Sequence, residues 1–107
     1  MDIKIYQIPG NGPDFRVYGF TSWEDTVKAA GSMAIPRERY KLVWQQRRKK
    51  DEPRNVLAKI TEIFVFCTPK EFRGRSLSVS DVVELDGVPN FCDSYGWQKV
   101  KWEEAET

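Results

Sequence analysis

Histidine is absent from this 107-residue chain, and cysteine occurs only twice. Without histidine, the chain has no Ser-His or Cys-His nucleophile pair and no histidine-ligated metal site. Neither sign of charge dominates, because 17 Lys and Arg residues stand against 16 Asp and Glu residues. The longest apolar run, Ile63 to Cys67, is far shorter than the roughly 20 residues of a membrane helix. We therefore expect no membrane span.

The first residues, from Met1 to Lys4, show neither the basic start nor the apolar stretch of a secretory signal. A cytosolic location is the expectation that follows. In that compartment Cys67 and Cys92 are expected to be reduced and partly buried, and a disulfide between them is the less favoured alternative.

The chain is long enough for one hydrophobic core, and 40% of its residues are hydrophobic. We predict a single domain over residues 1–107, of which 102–107 form a frayed tail. No internal repeat or low-complexity tract interrupts it.

The first half of the chain alternates between strand and helix signals. Residues 2–8 read as a strand, and 15–20 as a short strand or an ordered loop. Ser22 with Asp25 three residues later resembles a capping box and predicts a helix over about 22–31. The stretch from Tyr40 to Trp44 reads as the next strand, which ends where the charged run begins.

The strongest helix signal follows Pro53, a residue suited to a first helical turn. Apolar residues then recur at helical spacing and predict a buried face, with Lys59 and Glu62 on the solvent side. The face is expected to contain Leu57, Ile60 and Phe64.

A C-terminal hairpin is predicted around Asp86-Gly87, a pair that favours a two-residue turn with positive φ. Residues 82–85 form its first strand and 88–95 its second, and Pro89 places the second strand at a sheet edge or a bulge. Together these elements predict an α+β fold with two helices packed on a small, mostly antiparallel sheet.

Positive charge is concentrated in residues 37–50, which hold seven basic residues and one acidic residue. A basic run closes this segment and could contact phosphates or an acidic partner. A solvated loop between a strand and a helix is the alternative interpretation, and we favour it. The basic run consists of Arg47, Arg48, Lys49 and Lys50.

A polar segment over residues 74–81, called here the motif loop, gathers three serines and an aspartate beside a glycine. No base is available to activate its hydroxyl groups, and the segment lacks the spacing of a phosphate-binding loop. Hydrogen bonds from its side chains to backbone amides are the favoured role, with a binding site as the alternative. Its candidate site residues are Gly74, Arg75, Ser76, Ser78, Ser80 and Asp81.

Two further clusters of side chains lie near the C-terminus. The carboxylates of Asp81, Glu84, Asp86 and Asp93 match no metal-loop spacing, and we expect Glu84 and Asp86 on a solvated rim. Three aromatic residues could form an exposed stacking platform, although core positions are more usual in a domain of this size. They are Tyr95, Trp97 and Trp102. No catalytic residue, metal ligand or cofactor site is predicted.

Residues 74–83 resemble the hallmark segment of the YodL-like domain family, which is of the type Gly-His-Ser-Leu-Ser-Val-Ser-Asp-Val-Val. The similarity continues in sequential blocks over about residues 4–100. Those blocks are Tyr6-Gln7, Arg16 to Phe20, Tyr40 to Trp44, the helix ending near Phe64, Pro69 to Phe72, and Asp93 to Trp97.

Two departures distinguish this chain from the family pattern. Arg75 stands where the family usually shows histidine, so no acid, base or ligand role can be carried over to that position. The basic run occupies a segment that is commonly acidic or neutral in the family, so a basic surface is particular to this chain.

The resemblance implies a small domain encoded on bacterial conjugative elements and phage-like islands, without an established enzymatic activity. We therefore expect a non-catalytic cytosolic protein-interaction module of a mobile genetic element that uses the motif loop and nearby surface. The alternative is a nucleic-acid-associated accessory module that uses the basic segment 37–50. An enzyme is the least favoured class, because no activated nucleophile or acid-base pair is visible.

Overall fold

The computed structural model describes residues 1–12, 15, 18–30 and 34–104, with only the backbone of Ala29 and Ala30. Its elements, in chain order, are β1 (Asp2–Gln7), α1 (Trp23–Ala30), β2 (Ala34–Pro36), β3 (Lys41–Arg47), α2 (Pro53–Phe66), β4 (Val82–Leu85), β5 (Val88–Cys92), β6 (Trp97–Lys99) and β7 (Lys101–Glu103). A single 3-10 turn, Arg37–Arg39, links β2 to β3. The predicted α+β class is confirmed.

Five strands form the main sheet in the order β3-β1-β4-β5-β6, and every neighbouring pair is antiparallel. β2 and β7 pair in parallel as a separate two-stranded sheet. Within the described part of the chain, β3 and β6 are thus the edge strands of the main sheet.

The C-terminal hairpin joins β4 to β5 through Asp86 and Gly87, both with positive φ, at 47° and 85°. These angles are those of the type I′ turn that the Asp-Gly pair predicts. The Asp86 carboxylate accepts a hydrogen bond from the Asp2 amide at 2.8 Å, which ties the turn to the start of β1. The predicted hairpin is confirmed.

α2 packs on one face of the main sheet. Leu57, Ile60 and Phe64 are buried there, while Lys59 and Glu62 are exposed, as the spacing predicts. Ile3, Ile5, Val83 and Leu85 supply the sheet side of this core. The alternation along β1 and β4 places these four side chains on the same face.

The opposite face of the sheet is covered by α1 and by the β2-β7 pair. Its buried cluster contains Tyr6, Ile35, Val82, Phe91 and Val100, with Trp23, Tyr40 and Trp102 packed against it. α1 begins as predicted, because the Ser22 hydroxyl accepts a hydrogen bond from the Asp25 amide at 3.3 Å. Asp93, distant in sequence, accepts a second bond from the Trp23 amide at 3.0 Å.

This covered face corrects the prediction that Glu84 lies on a solvated rim. Glu84 is buried, and the indole N–H of Trp102 donates to its Oε2 at 2.7 Å. Trp102 and Glu103 belong to β7, so the predicted frayed tail of 102–107 is wrong at its start. Residues 105–107 lie outside the described part. The sequence shows the alternation of β4 but not that a second layer lies over it.

Two further segments differ from prediction. β3 continues to Arg47, because antiparallel pairing with β1 reaches the start of the chain. In the segment 15–20, of which 16 and 17 lie outside the described residues, the Gly19 amide donates to the Phe15 carbonyl at 2.9 Å, a turn contact and not a strand contact.

β5 as a whole is an interior strand, but Pro89 stands at its start, before the residues that pair with β6. Pro89 is tolerated because pairing with β6 begins one residue later, at Asn90. The Pro89 carbonyl accepts a hydrogen bond from the Val100 amide.

Neither described helix is long and apolar enough to cross a membrane. Cys67 is exposed and Cys92 is half-buried, and the two thiols are not joined.

Candidate functional site

The motif loop connects the end of α2 to β4 and is anchored in the core at its middle. Leu77 is buried, and its amide donates to the Phe64 carbonyl at 3.1 Å. Gly74 fits tightly at the start of the loop: a Cβ there would clash with the Gln7 side-chain oxygen and lie 2.6 Å from the Phe72 ring. The loop is therefore a packed part of the domain.

Asp81 ends the loop and is fully buried. Its Oδ2 accepts hydrogen bonds from the Ser78 amide at 2.9 Å and from the Gln7 side-chain amide at 3.0 Å. Gln7 also donates to the Arg75 carbonyl and accepts from the Arg75 amide, at 2.8 and 3.1 Å. Two side chains thus hold the loop to β1.

Ser80 adopts a positive φ of 82° and is also buried. Its hydroxyl oxygen accepts a hydrogen bond from the Phe20 amide at 2.9 Å. Its carbonyl accepts from the Tyr40 hydroxyl, and its amide donates to the Cys92 carbonyl, each at 2.8 Å. Ser80 therefore connects three separate segments of the chain.

Arg75 crosses the outer side of this network. Its Nη2 lies 3.5 Å from Asp81 Oδ1, and its guanidinium stands over the rings of Phe15 and Phe20 at 4.9 and 5.5 Å. The charge contact with Asp81 lacks hydrogen-bond geometry, so Asp81 Oδ1 and Arg75 Nη2 have no hydrogen-bond partner in the described structure. Attraction between charges in a protein interior holds this pair together.

Burial controls the protonation of the groups around the loop. It raises the pKa of Asp81 to about 7, although two hydrogen bonds and Arg75 oppose that shift. It also raises the pKa of Tyr40, with the Asp81 charge contributing. Burial raises the pKa of Cys92 to about 11, again with help from Asp81 and then Asp93. The phenol and the thiol are therefore protonated at neutral pH, which is the unreactive state of each.

The remaining loop residues face outward. Ser76 is exposed, and the half-buried Ser78 donates from its hydroxyl to the Ser76 carbonyl at 3.2 Å. Of the predicted side-chain bonds to backbone amides, Asp81 makes the one within the turn, to Ser78, whereas Ser80 bonds the distant Phe20 amide and the Ser78 hydroxyl bonds a carbonyl. Ser76 is the exposed candidate residue of the loop, and Gly74, Arg75 and Ser78 are half-buried.

The basic run is divided between two elements. Arg47 is the last residue of β3, whereas Arg48, Lys49 and Lys50 line a pocket of about 580 Å³ at the start of α2. Lys59 from the second turn of α2 adds a fourth positive charge, a contribution that spacing along the sequence did not indicate. Asp51 lies in the same pocket, and its carboxylate accepts from the Glu52 amide at 2.7 Å.

The predicted basic segment 37–50 does not form one continuous patch. Arg37 pairs with Glu104 at 3.1 Å and donates to the Tyr6 hydroxyl at 2.9 Å, and Arg39 stands 3.7 Å from the centre of the Tyr18 ring. The whole of β3, about 23 Å at the usual rise per residue, separates this end of the segment from Arg48.

The other clusters considered from the sequence are dispersed. Among the described residues, no group of three or more Cys, Asp or Glu side chains could hold a metal ion. Trp97 packs toward the α2 side of the sheet and Trp102 toward the opposite side, while Tyr95 is 97% exposed. These three aromatic residues therefore do not form a shared platform.

The structure defines a small α+β domain whose main sheet is covered on both faces, with a largely buried polar loop as its most distinctive feature. The YodL-like domain family model matches residues 2–102, and the chain belongs to that family. Comparison with curated proteins and with solved structures finds no match.

Proposed function

We propose that this domain is a non-catalytic module that binds another protein along the outer edge of β3. A cytosolic setting and a bacterial mobile genetic element are part of the proposal, and the family resemblance alone supports them. The motif loop has a supporting role, because Ser80 Oγ and Asp81 Oδ2 already accept hydrogen bonds from within the domain.

The free edge of β3 is the observation that carries this proposal. β3 is seven residues long and pairs only with β1 among the described strands. From Leu42 to Gln46 it carries no charge, and Leu42 is 43% exposed. Unpaired edges of this kind are templates for a further strand, and proteins usually block them with charges along the edge.

The backbone groups that a partner would meet can be identified from the ladder. Met1 and Arg48 exchange two hydrogen bonds, from the Met1 amine at 2.7 Å and the Arg48 amide at 2.9 Å. Because antiparallel pairs alternate, Gln46 bonds to β1, whereas Gln45 and Arg47 direct their amide and carbonyl groups outward. A bulge at Val43 limits the regular edge to the last four residues of the strand.

Charge at the two ends of β3 selects the chemistry of the partner. Lys41 begins the strand and Arg47 ends it, and both are exposed. An extended segment with acidic residues at its ends would place opposite charges against these two positions. Strand addition supplies affinity through backbone hydrogen bonds, and such end charges supply register and specificity.

Site-specific photocrosslinking in the native host tests the proposal. A benzophenone amino acid at Gln45, on the β3 edge, should give protein adducts. The matched control places the same group at Gln98, an exposed glutamine on the opposite edge strand β6. Adducts from Gln98 alone, or adducts with nucleic acid alone, would contradict binding of a protein at β3.

A nucleic-acid-associated module is the second candidate, supported by the pocket at the start of α2. Three residues of the basic run gather there with Lys59, and four cations in one pocket suit phosphate contacts. Asp51 in the same pocket weakens that support, since its carboxylate already occupies the exposed amide of Glu52.

A further inference from the structure

A second cationic depression lies beside the motif loop, between that loop and the turn after β1. It encloses about 230 Å³ and is lined by three positively charged residues: Lys41 from β3, Arg73 before the loop and Arg75 within it. Among the described residues, no Asp or Glu lines it. The sequence separates these three cations by up to 34 positions, so the fold is required to bring them together.

Arg75 is held in place before any ligand arrives. Two ring contacts, with Phe15 and Phe20, and the charge contact with Asp81 fix its guanidinium, and its backbone is bonded to Gln7 on both sides. A planar guanidinium that is already positioned loses little side-chain entropy on binding an oxyanion. Lys41 and Arg73 are exposed at the mouth of the cleft and can close on a bound group.

Two glycines line the cleft and contribute no side chain to it. A Cβ at Gly10 would lie 3.9 Å from Arg75 Nη1, and Gly74 has no room for a side chain at all. The backbone at Gly10 therefore runs close to the Arg75 guanidinium, and Asn11 contributes an exposed amide side chain to the same rim. This arrangement offers hydrogen-bond donors around one charged group.

The pocket at the start of α2 is larger, but Asp51 lies in it. The Asp51 carboxylate already accepts the hydrogen bond of the Glu52 amide, so that amide is not available to a bound anion. The described lining of the cleft beside the motif loop contains no competing carboxylate. Its volume is below the roughly 300 Å³ at which pockets for whole small molecules begin. A single oxyanion head group matches that size. Three cations suit an oxyanion that carries two negative charges.

We propose that the cleft formed by Lys41, Arg73 and Arg75 binds a phosphate monoester group. Arg75 supplies its Nη1 group as the fixed donor, because its Nε and Nη2 are buried and Nη2 faces Asp81, and the two exposed cations neutralise the second charge. The phosphate belongs either to a phosphorylated side chain or to a small phosphorylated molecule, since the cleft contacts the phosphate alone. This proposal does not require a protein partner at β3.

Titration of the isotope-labelled protein with inorganic phosphate, followed by amide chemical shifts, tests the proposal. Saturable shifts should appear at Gly10, Asn11, Gly74 and Arg75. Changing Lys41 and Arg73 together to Ser should weaken binding by about tenfold for each lost charged contact. The matched control changes Lys28 and Arg54 to Ser, which removes the same two residue types from exposed pairs with Glu24 and Glu52.

Two further ligands identify the source of the phosphate. Tighter binding of a phosphoserine peptide than of inorganic phosphate points to a modified protein, and tighter binding of a nucleoside 5′-monophosphate points to a small molecule. Glutarate, a dicarboxylate of similar charge, should bind at least about tenfold more weakly than phosphate. Equal affinity for glutarate, absence of saturable shifts, or an equal loss in the Lys28 and Arg54 control would overturn the proposal.

Discussion

Asp81 shows how one buried side chain can organise a loop and also make its stability depend on pH. It accepts two hydrogen bonds and faces Arg75, yet burial still disfavours its charged form. The native state therefore retains the Asp81 proton at pH values where the unfolded chain has released it. Between the ordinary pKa of 3.8 and the folded value of about 7, stability must fall as pH rises.

We predict that Asp81→Asn removes this contribution while keeping an oxygen that can accept the Ser78 hydrogen bond. The quantity to follow is the free energy of unfolding of the native protein minus that of the variant. It should decline by a few kcal/mol between pH 4 and pH 8, which is the order of magnitude that proton linkage gives. Urea denaturation across that range measures the difference. A difference that stays flat, or that grows with pH, would show that Asp81 is ionised throughout the range.

Ser80→Ala should destabilise the domain by about 1–3 kcal/mol, because the Phe20 amide loses its acceptor. Ser80→Gly is the informative companion, since it loses the same bond but accepts the positive φ of 82° without strain. The glycine variant should therefore be the more stable of the two in chemical denaturation. Unchanged stability in the alanine variant, combined with lost partner binding, would make Ser80 a binding residue.

Helix α2 is the element whose face the sequence determined most fully. Ile60 is fully buried at its centre, so Ile60→Ala should cost about 2–5 kcal/mol of unfolding free energy. Glu62→Ala, two residues away on the exposed side, is the control and should change stability by less than about 0.5 kcal/mol. Equal denaturation midpoints for the two variants would be incompatible with the packing of α2.

Local signals explain why some elements could be predicted. The apolar spacing of α2 and the Asp86-Gly87 turn each depend on neighbouring residues, and both are confirmed. The pairing of β2 with β7 could not be predicted, because three-residue parallel strands have no period to detect. Because the β2-β7 pair could not be predicted, its cover over Glu84 could not be predicted either. The alternation of β4 alone therefore placed Glu84 in solvent, whereas it is buried.

The candidate site was predicted in its composition but not in its arrangement. That Ser80 and Asp81 bond to backbone amides follows from their chemistry, but only the Asp81 bond to Ser78 lies within the turn, and Ser80 bonds the distant Phe20 amide. Their partners Gln7 and Phe20 could not be identified, since both lie about 60 or more positions away along the chain. Lys59 joins the basic run, and Arg73 joins Lys41, only through tertiary packing.

At the scale of the whole molecule, nearly balanced charge limits what the pocket at the start of α2 can do with nucleic acid. If Arg47, Arg48, Lys49 and Lys50 all contacted phosphates, duplex affinity should fall with log salt at a slope of about −3 to −4. We expect instead a dissociation constant on the order of 10⁻⁴ M or weaker at physiological salt. Fluorescence anisotropy across a salt series measures both quantities.

The control for that series is a variant with the four residues of the basic run changed to Ser, tested with duplex and single-stranded oligonucleotides. Sub-micromolar binding that the substitutions abolish would favour the nucleic-acid candidate over the protein-binding one.

Amide hydrogen exchange along β3 tests the central claim most directly, because that claim concerns particular backbone groups. In the free protein, the outward amides of Gln45 and Arg47 should exchange faster than those of Trp44 and Gln46, which face β1. When the protein partner captured by crosslinking at Gln45 is added, exchange at Gln45 and Arg47 should slow while exchange at Trp44 and Gln46 stays unchanged. A bound partner that leaves Gln45 and Arg47 unprotected would contradict strand addition at β3.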